Sequence, residues 1–190
     1  MTGTTTRRAG YENCNPEGIG LVALLREDLT THEGDWTTPG FRALVVHRLG
    51  NWRMGVASFA LRAPLSMLYR LAYRRIIRSY GIELPYSVIV GRRVRIDHHS
   101  GIVVNGYSVI GDECVLRQNT TLGIPSTDQP DAAPVLGRGV DVGVGVVILG
   151  RIHVGDGAVI GANAVVVRDV PAGATAVGIP ARVLERRPPG

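Results

Sequence analysis

LGRGVDVGVGVVILGRIHVGDGAVIGANAVV, Leu136 to Val166, carries an aliphatic residue at every sixth place: Leu136, Val142, Ile148, Val154, Ile160 and Val166. Val140, Val146, Ala158 and Ala164 stand two places before four of these, and glycine follows at Gly137, Gly143, Gly155 and Gly161. An amphipathic helix repeats at 3.6 residues and a half-buried strand at two, so neither explains a period of six. A fixed short period marks a repeat architecture. Each hexad supplies one short strand and a turn, three hexads close a triangular coil, and stacked coils bury the aliphatic column. A β-sandwich of alternating strands leaves the common phase unexplained. The stretch predicts a β-solenoid, specifically a parallel β-helix.

The period extends upstream. Ile110, Leu116 and Leu122 keep it, with Ser108, Cys114 and Thr120 two places before them, and a loop at 123–133 separates this block from Leu136. Further back, Leu84, Val90, Ile96 and Ile102 fall six apart, and a two-residue insertion follows Ile102. The β-helix is therefore expected over 81–183, with a tail at 184–190. Residues 18–80 read as an N-terminal α-helical region. Leu21, Leu24, Leu25 and Leu29 share one face of a helix over 18–31. HEGDWTTPG breaks it, and further helices are expected over 41–54 and 59–80. Residues 1–17, threonine-rich at the start and without periodicity, are expected to be disordered.

Composition narrows the class. The 190 residues suffice for one domain with a helical extension. Aromatics make up 5% and glycines number 25, which suits a core of thin aliphatic layers. The net charge of +5 rests entirely on arginines, four of them clustered at Arg70, Arg74, Arg75 and Arg78. No aromatic-flanked basic motif accompanies them, so no nucleic-acid partner is expected. Cys14 and Cys114 are too few and too far apart for a disulfide framework or a zinc site. No signal peptide is recognised, and the apolar stretch 54–73 is broken by Arg62, Pro64 and Arg70, so no membrane span is expected. A cytoplasmic protein fits these features.

One stretch departs from this economy of small and aliphatic residues: RIDHHSGIVV, Arg95 to Val104. With Ile96 inward, strand alternation gives Asp97 and His99 one orientation and His98 the other, unless a turn intervenes. Adjacent histidines on a regular strand diverge and cannot share one ion, and His153 lies in a distant coil, so no metal is expected. A histidine with an ordinary pKa near 6.5 is largely neutral at physiological pH and can accept a proton from a hydroxyl.

Several segments between about residues 22 and 185 resemble one family: LLREDL, PGFRALVVHRLGNW, GIELP, DHHSGIVV, VLRQNTTLG and AVGIPARVL. The repeat resembles the hexapeptide-repeat acyltransferases, and these segments resemble the serine O-acetyltransferases among them. The resemblance implies a left-handed helix, acetyl-CoA as acyl donor without a metal, and a homotrimer, with pairing of trimers left open. It assigns His98 as general base, Glu83 as its partner carboxylate, and Asp97 as a substrate contact. Asp35 in HEGDW resembles a second substrate-binding acid. In the groove that the resemblance implies for the pantetheine arm, Gly143, Val144, Gly161 and Ala162 are the lining residues expected by position. Arg182, with Arg168 or Arg186 as alternates, is the arginine expected to meet the nucleotide phosphates of the acetyl-CoA that the resemblance implies.

The chain also departs from the pattern. Ala132 and Ala133 stand where the family carries an Arg-His pair that helps hold the amino-acid substrate, and Gly106 stands in place of a glutamate. Arg117 or Arg138 are the arginines considered as replacements. These departures favour O-acyl transfer from acetyl-CoA to a hydroxyl of a small molecule or sugar. Serine O-acetylation in cysteine biosynthesis is the alternative, and a non-catalytic scaffold is the alternative of another class.

Overall fold

The computed structural model describes residues 12–184. Among the described residues three helices precede fifteen short strands, numbered in chain order: α1 (Leu21–Thr31), α2 (Pro39–Trp52) and α3 (Phe59–Tyr80), with one 3₁₀ turn at Arg53–Gly55. The α1 and α2 boundaries lie inside or beside the expected spans, and α3 coincides with its span.

The strands form the three faces of a prism of about five turns. One face stacks β1 (Ile82–Glu83), β4 (Ile102–Val104), β7 (Thr121–Gly123), β10 (Val147–Leu149) and β13 (Val165–Val166). A second stacks β2 (Ile89–Val90), β5 (Val109–Ile110), β8 (Val135–Leu136) and β11 (His153–Val154). The third runs β3 (Arg95–Asp97), β6 (Val115–Arg117), β9 (Asp141–Val142), β12 (Val159–Ile160) and β14 (Thr175–Val177), closed by β15 (Arg182–Val183). All pairs are parallel except β14 with β15. The hexad column, from Leu84 to Val166, is buried throughout at 3% exposure or less. Ser108, Cys114, Thr120, Val140, Val146, Ala158 and Ala164, two places before column residues, are fully buried beside it.

Register corrects the place of the insertion. Val159 lies beside Asp141, eighteen residues earlier, as three hexads require. In the first turn the step is twenty: Arg95 lies beside Val115 and Asp97 beside Arg117. From Val103 to Thr121 it is eighteen again. The two extra residues therefore fall between Asp97 and Val103, not after Ile102. Val104 pairs with Leu122 and continues the column, while Ile102 pairs with Ile82 in the layer beside it. Ile102 and Val104 are both aliphatic and both buried, so their hydrophobicity alone fits either phase.

The N-terminal end of the prism would leave strand-edge carbonyls unpaired, and α2 closes it with polar side chains. His47 donates through Nε2 to Val88 O at 2.9 Å, and Asn51 through Nδ2 to Tyr86 O at 2.5 Å. Arg48 donates to Val90 O at 2.7 Å and Gly91 O at 2.6 Å, while its Nε meets Asp28 Oδ2 of α1 at 3.0 Å. All four side chains are fully buried. Satisfied backbone and a neutralised charge make that burial tolerable. Gly40 lets the start of α2 approach β3, because a Cβ there would overlap the Ile96 carbonyl.

Residues 12–17 differ from the expectation of disorder: Cys14 is buried, its N–H donates to Asn51 Oδ1 at 2.9 Å, and Asn15 donates to Arg48 O at 3.0 Å. Residues 1–11 and 185–190, with them Arg186 and most of the expected tail, lie outside the described residues. At the other end, the turn of AVGIPARVL closes the first face through Val165 N–H to Gly178 O at 3.0 Å and Ala181 N–H to Val165 O at 2.8 Å.

Candidate active site

The two inserted residues distort the corner that carries the histidines. His98, Ser100 and Gly101 have φ of 64°, 83° and 66°. A left-handed backbone at non-glycine residues is uncommon, and two in one short corner mark a shaped feature. The strand ends at Asp97 and a turn intervenes at His98, the case in which alternation does not separate the histidines, and both line one cleft with Asp97. The cleft, of about 340 Å³, lies between this corner and the turn from α1 to α2, and His32, Glu33, Asp35, Thr38 and Gly40 form its other wall. His98 is exposed there. His99 is also exposed, with Nδ1 3.0 Å from Ser100 Oγ.

His32 fixes the wall to the corner. Its Nδ1–H donates to Asp28 O at 2.8 Å, and its Nε2 accepts from Ile96 N–H at 3.3 Å. Those two bonds require the neutral Nδ1–H tautomer. Asp35 Oδ1 accepts from Thr37 N–H at 2.7 Å and Thr37 Oγ at 2.6 Å, and these bonds hold its carboxyl below the usual range. Arg95 bridges the cleft, from the Asp97 carboxylate to Glu33 Oε1 at 2.9 Å. The cleft thus gathers Asp35, Asp97 and His98 of the expected set, and adds His32, Glu33 and Arg95. Arg95 was legible in the sequence, since it lies two places before Asp97 on one strand face. His32 and Glu33 reach the corner only through the packing of α1 and α2.

The other expected residues lie elsewhere. Glu83 is exposed on β1, outside the cleft, where its charge helps push the Tyr73 phenol above its ordinary pKa after burial. No hydrogen bond joins Glu83 to His98. Arg117 sits one coil on from Asp97 and is engaged by the Asp141 carboxylate and Val142 O. Arg138 pairs with Glu113. Arg168 and Arg182 are exposed, the latter on β15.

Gly143, Val144, Gly161 and Ala162 fall on the same corner of the prism as His98, between the third face and the first. At the ~4.8 Å spacing of neighbouring strands they lie about 10 Å and about 14 Å along that edge. Their glycines are set by close coil contact rather than by positive φ. A Cβ on Gly143 would stand 2.7 Å from Ile160 O, and one on Gly161 2.7 Å from a Val177 methyl. Among the described residues, no group of three or more His, Cys, Asp or Glu could hold a metal ion, and no helix is long and apolar enough to cross a membrane.

No protein-family model matches the chain. Individual proteins do. The serine acetyltransferase of Helicobacter pylori is 36% identical over 148 residues, which cover 78% of this chain and 82% of that protein. The chain belongs to the serine acetyltransferase family. The serine acetyltransferase of Synechococcus elongatus is 38% identical over 148 residues, but this chain spans only 58% of its length. Two solved serine acetyltransferases superpose well. The soybean enzyme complexed with serine has a TM-score of 0.74 at 31% identity, covering 86% of this chain and 69% of that one. A serine acetyltransferase in complex with CoA has a TM-score of 0.70 at 28% identity, covering 86% and 69%.

Proposed function

We propose that this member of the serine acetyltransferase family transfers an acetyl group from acetyl-CoA to the hydroxyl of L-serine, with His98 as general base. The observation that carries the reading is the distorted corner. His98 and Asp97 share one cleft with Asp35, at one end of the prism edge where Gly143, Val144, Gly161 and Ala162 stack. A thioester arm lying along that edge would present its carbonyl to a hydroxyl held in the cleft. A neighbour's complex with CoA and another's with serine support both halves of that arrangement.

His98 takes the hydroxyl proton as the oxygen attacks the thioester carbon. The tetrahedral intermediate collapses, the C–S bond breaks, and the imidazolium returns the proton to the departing thiolate. Asp97 and Asp35 would face the acceptor's ammonium. Glu83 is proposed as the orienting carboxylate, reaching His98 only after a side-chain rearrangement. Arg182, or Arg168, would meet the CoA phosphates.

Acetylation of a hydroxyl on another small molecule or a sugar is the second reading. Ala132 and Ala133 favour it, since both are buried and present no polar group to an amino acid. We further propose a left-handed coil, a homotrimer able to pair into a dimer of trimers, and a cytoplasmic location. Val103, Val159 and Val167, aliphatic and exposed on the outside of the prism, support burial against neighbouring copies.

Free-thiol release from acetyl-CoA with L-serine as acceptor tests the proposal. Activity with serine, falling by roughly 10²-fold or more in His98→Ala, is the expected result. Release with a sugar but not with serine would move the assignment to the second reading. No release with any acceptor would leave a scaffold.

A further inference from the structure

Serine carries a carboxylate as well as an ammonium, and the residues expected to hold it are absent or engaged elsewhere. Ala132 and Ala133 offer no donor, Arg117 is held by Asp141, and Arg138 by Glu113. We infer that Arg95 is the specificity-determining residue of the cleft, the anchor for the carboxylate of a small zwitterionic hydroxy acceptor. The inference rests on reading the cleft as the acceptor site.

Arg95 is the one arginine among the described residues lining the cleft. Its Nε is fixed by the Asp97 carboxylate, directly before the proposed base, which sets the plane of the guanidinium. Its Nη2 meets Glu33 Oε1 at 2.9 Å, but the Glu33 side chain is 75% exposed. An ion pair so open to water is weak, and an incoming carboxylate can take the glutamate's place. Displacing Glu33 frees Nη2, and with Nε held by Asp97 the Nη1–Nη2 edge of the guanidinium is the one that can meet a carboxylate. Glu33 and Asp97 pair with that one arginine and Asp35 lines the same cleft, so three carboxylates face one guanidinium's charge there. A simple anion would be repelled by the surplus, and a simple cation would leave the Arg95 guanidinium without a carboxylate of the ligand to bind. A molecule bearing both charges matches the set, so the class is a hydroxy α-amino acid.

Calorimetric binding of L-serine and of serinol, which keeps the ammonium and hydroxyl but lacks the carboxylate, reads this directly and needs no turnover. The protein should bind serine roughly tenfold or more tighter than serinol. Arg95→Gln should abolish the preference by weakening serine alone. Glu33→Gln, which removes the competitor while leaving Arg95 in place, should widen the preference and serves if the arginine variant fails to fold. Equal binding of the two ligands, binding of neither, or an Arg95→Gln effect equal on both would overturn the assignment. Serine binding that depends on Arg95 without thiol release would instead sink the acetyl transfer and leave Arg95's role standing.

Discussion

At the scale of single residues, chemistry was easier to read than pose. His98 and Asp97 were visible as the polar interruption of an aliphatic repeat, but the backbone that aims them follows from an insertion whose place hydrophobicity left ambiguous. A second histidine matters in a different way. His47 is fully buried, and burial, together with the Arg48 charge, pushes its pKa down to about 3. The folded protein therefore binds fewer protons than the unfolded chain between pH 6.5 and about 3. Its contribution to stability is complete above pH 6.5 and is lost as pH falls through that window. By about pH 4 the loss is on the order of 3 kcal/mol. Chemical denaturation from pH 7 to 4 should show a steeper fall in the unmodified protein than in His47→Gln, whose amide can still donate to Val88 O. Equal slopes would show that His47 charges without penalty. Cys114 gives a simpler expectation. Burial pushes its thiol to about 11, so a thiol reagent at pH 8 should label it only on unfolding.

At the scale of elements, the period of six made the strands legible from residue order alone, because each hexad buries one column residue. Ile148 shows the consequence, fully buried within the stack of coils. Ile148→Ala should cost about 2–5 kcal/mol, measured as a lower denaturation midpoint with an unchanged slope. The same logic failed at the first turn, where Ile102 and Val104 offered two phases and only strand pairing chose between them. Nor does the period say why Gly143 and Gly161 are glycines; their small size admits the next coil. Helices α1 and α2 were recognisable as helices, but not as a wall of the cleft. Their contacts with the prism are made by polar side chains on backbone carbonyls, and no hydrophobic periodicity announces such pairings.

At the scale of the whole molecule, the prism is quasi-one-dimensional: each coil rests on its neighbours, and its ends need caps. Arg48 is the centre of the N-terminal cap, joining Asp28 of α1 to two carbonyls of the first coil with no exposure to water. Arg48→Met would leave the Asp28 carboxylate buried without its partner and free the Val90 and Gly91 carbonyls, at a cost of about 3–5 kcal/mol. In a globular core that loss would lower protection everywhere. In a stack of coils it should fray from the damaged end. Amide exchange in Arg48→Met is therefore expected to accelerate at the first-coil amides Ile89 and Arg95, while Val147 and Val159, three coils further on, keep their protection. Because His98 sits at the corner of that first coil, binding at the proposed acceptor cleft should weaken along with it. Uniform acceleration across all coils would mean that the cap and the prism unfold as a single cooperative unit.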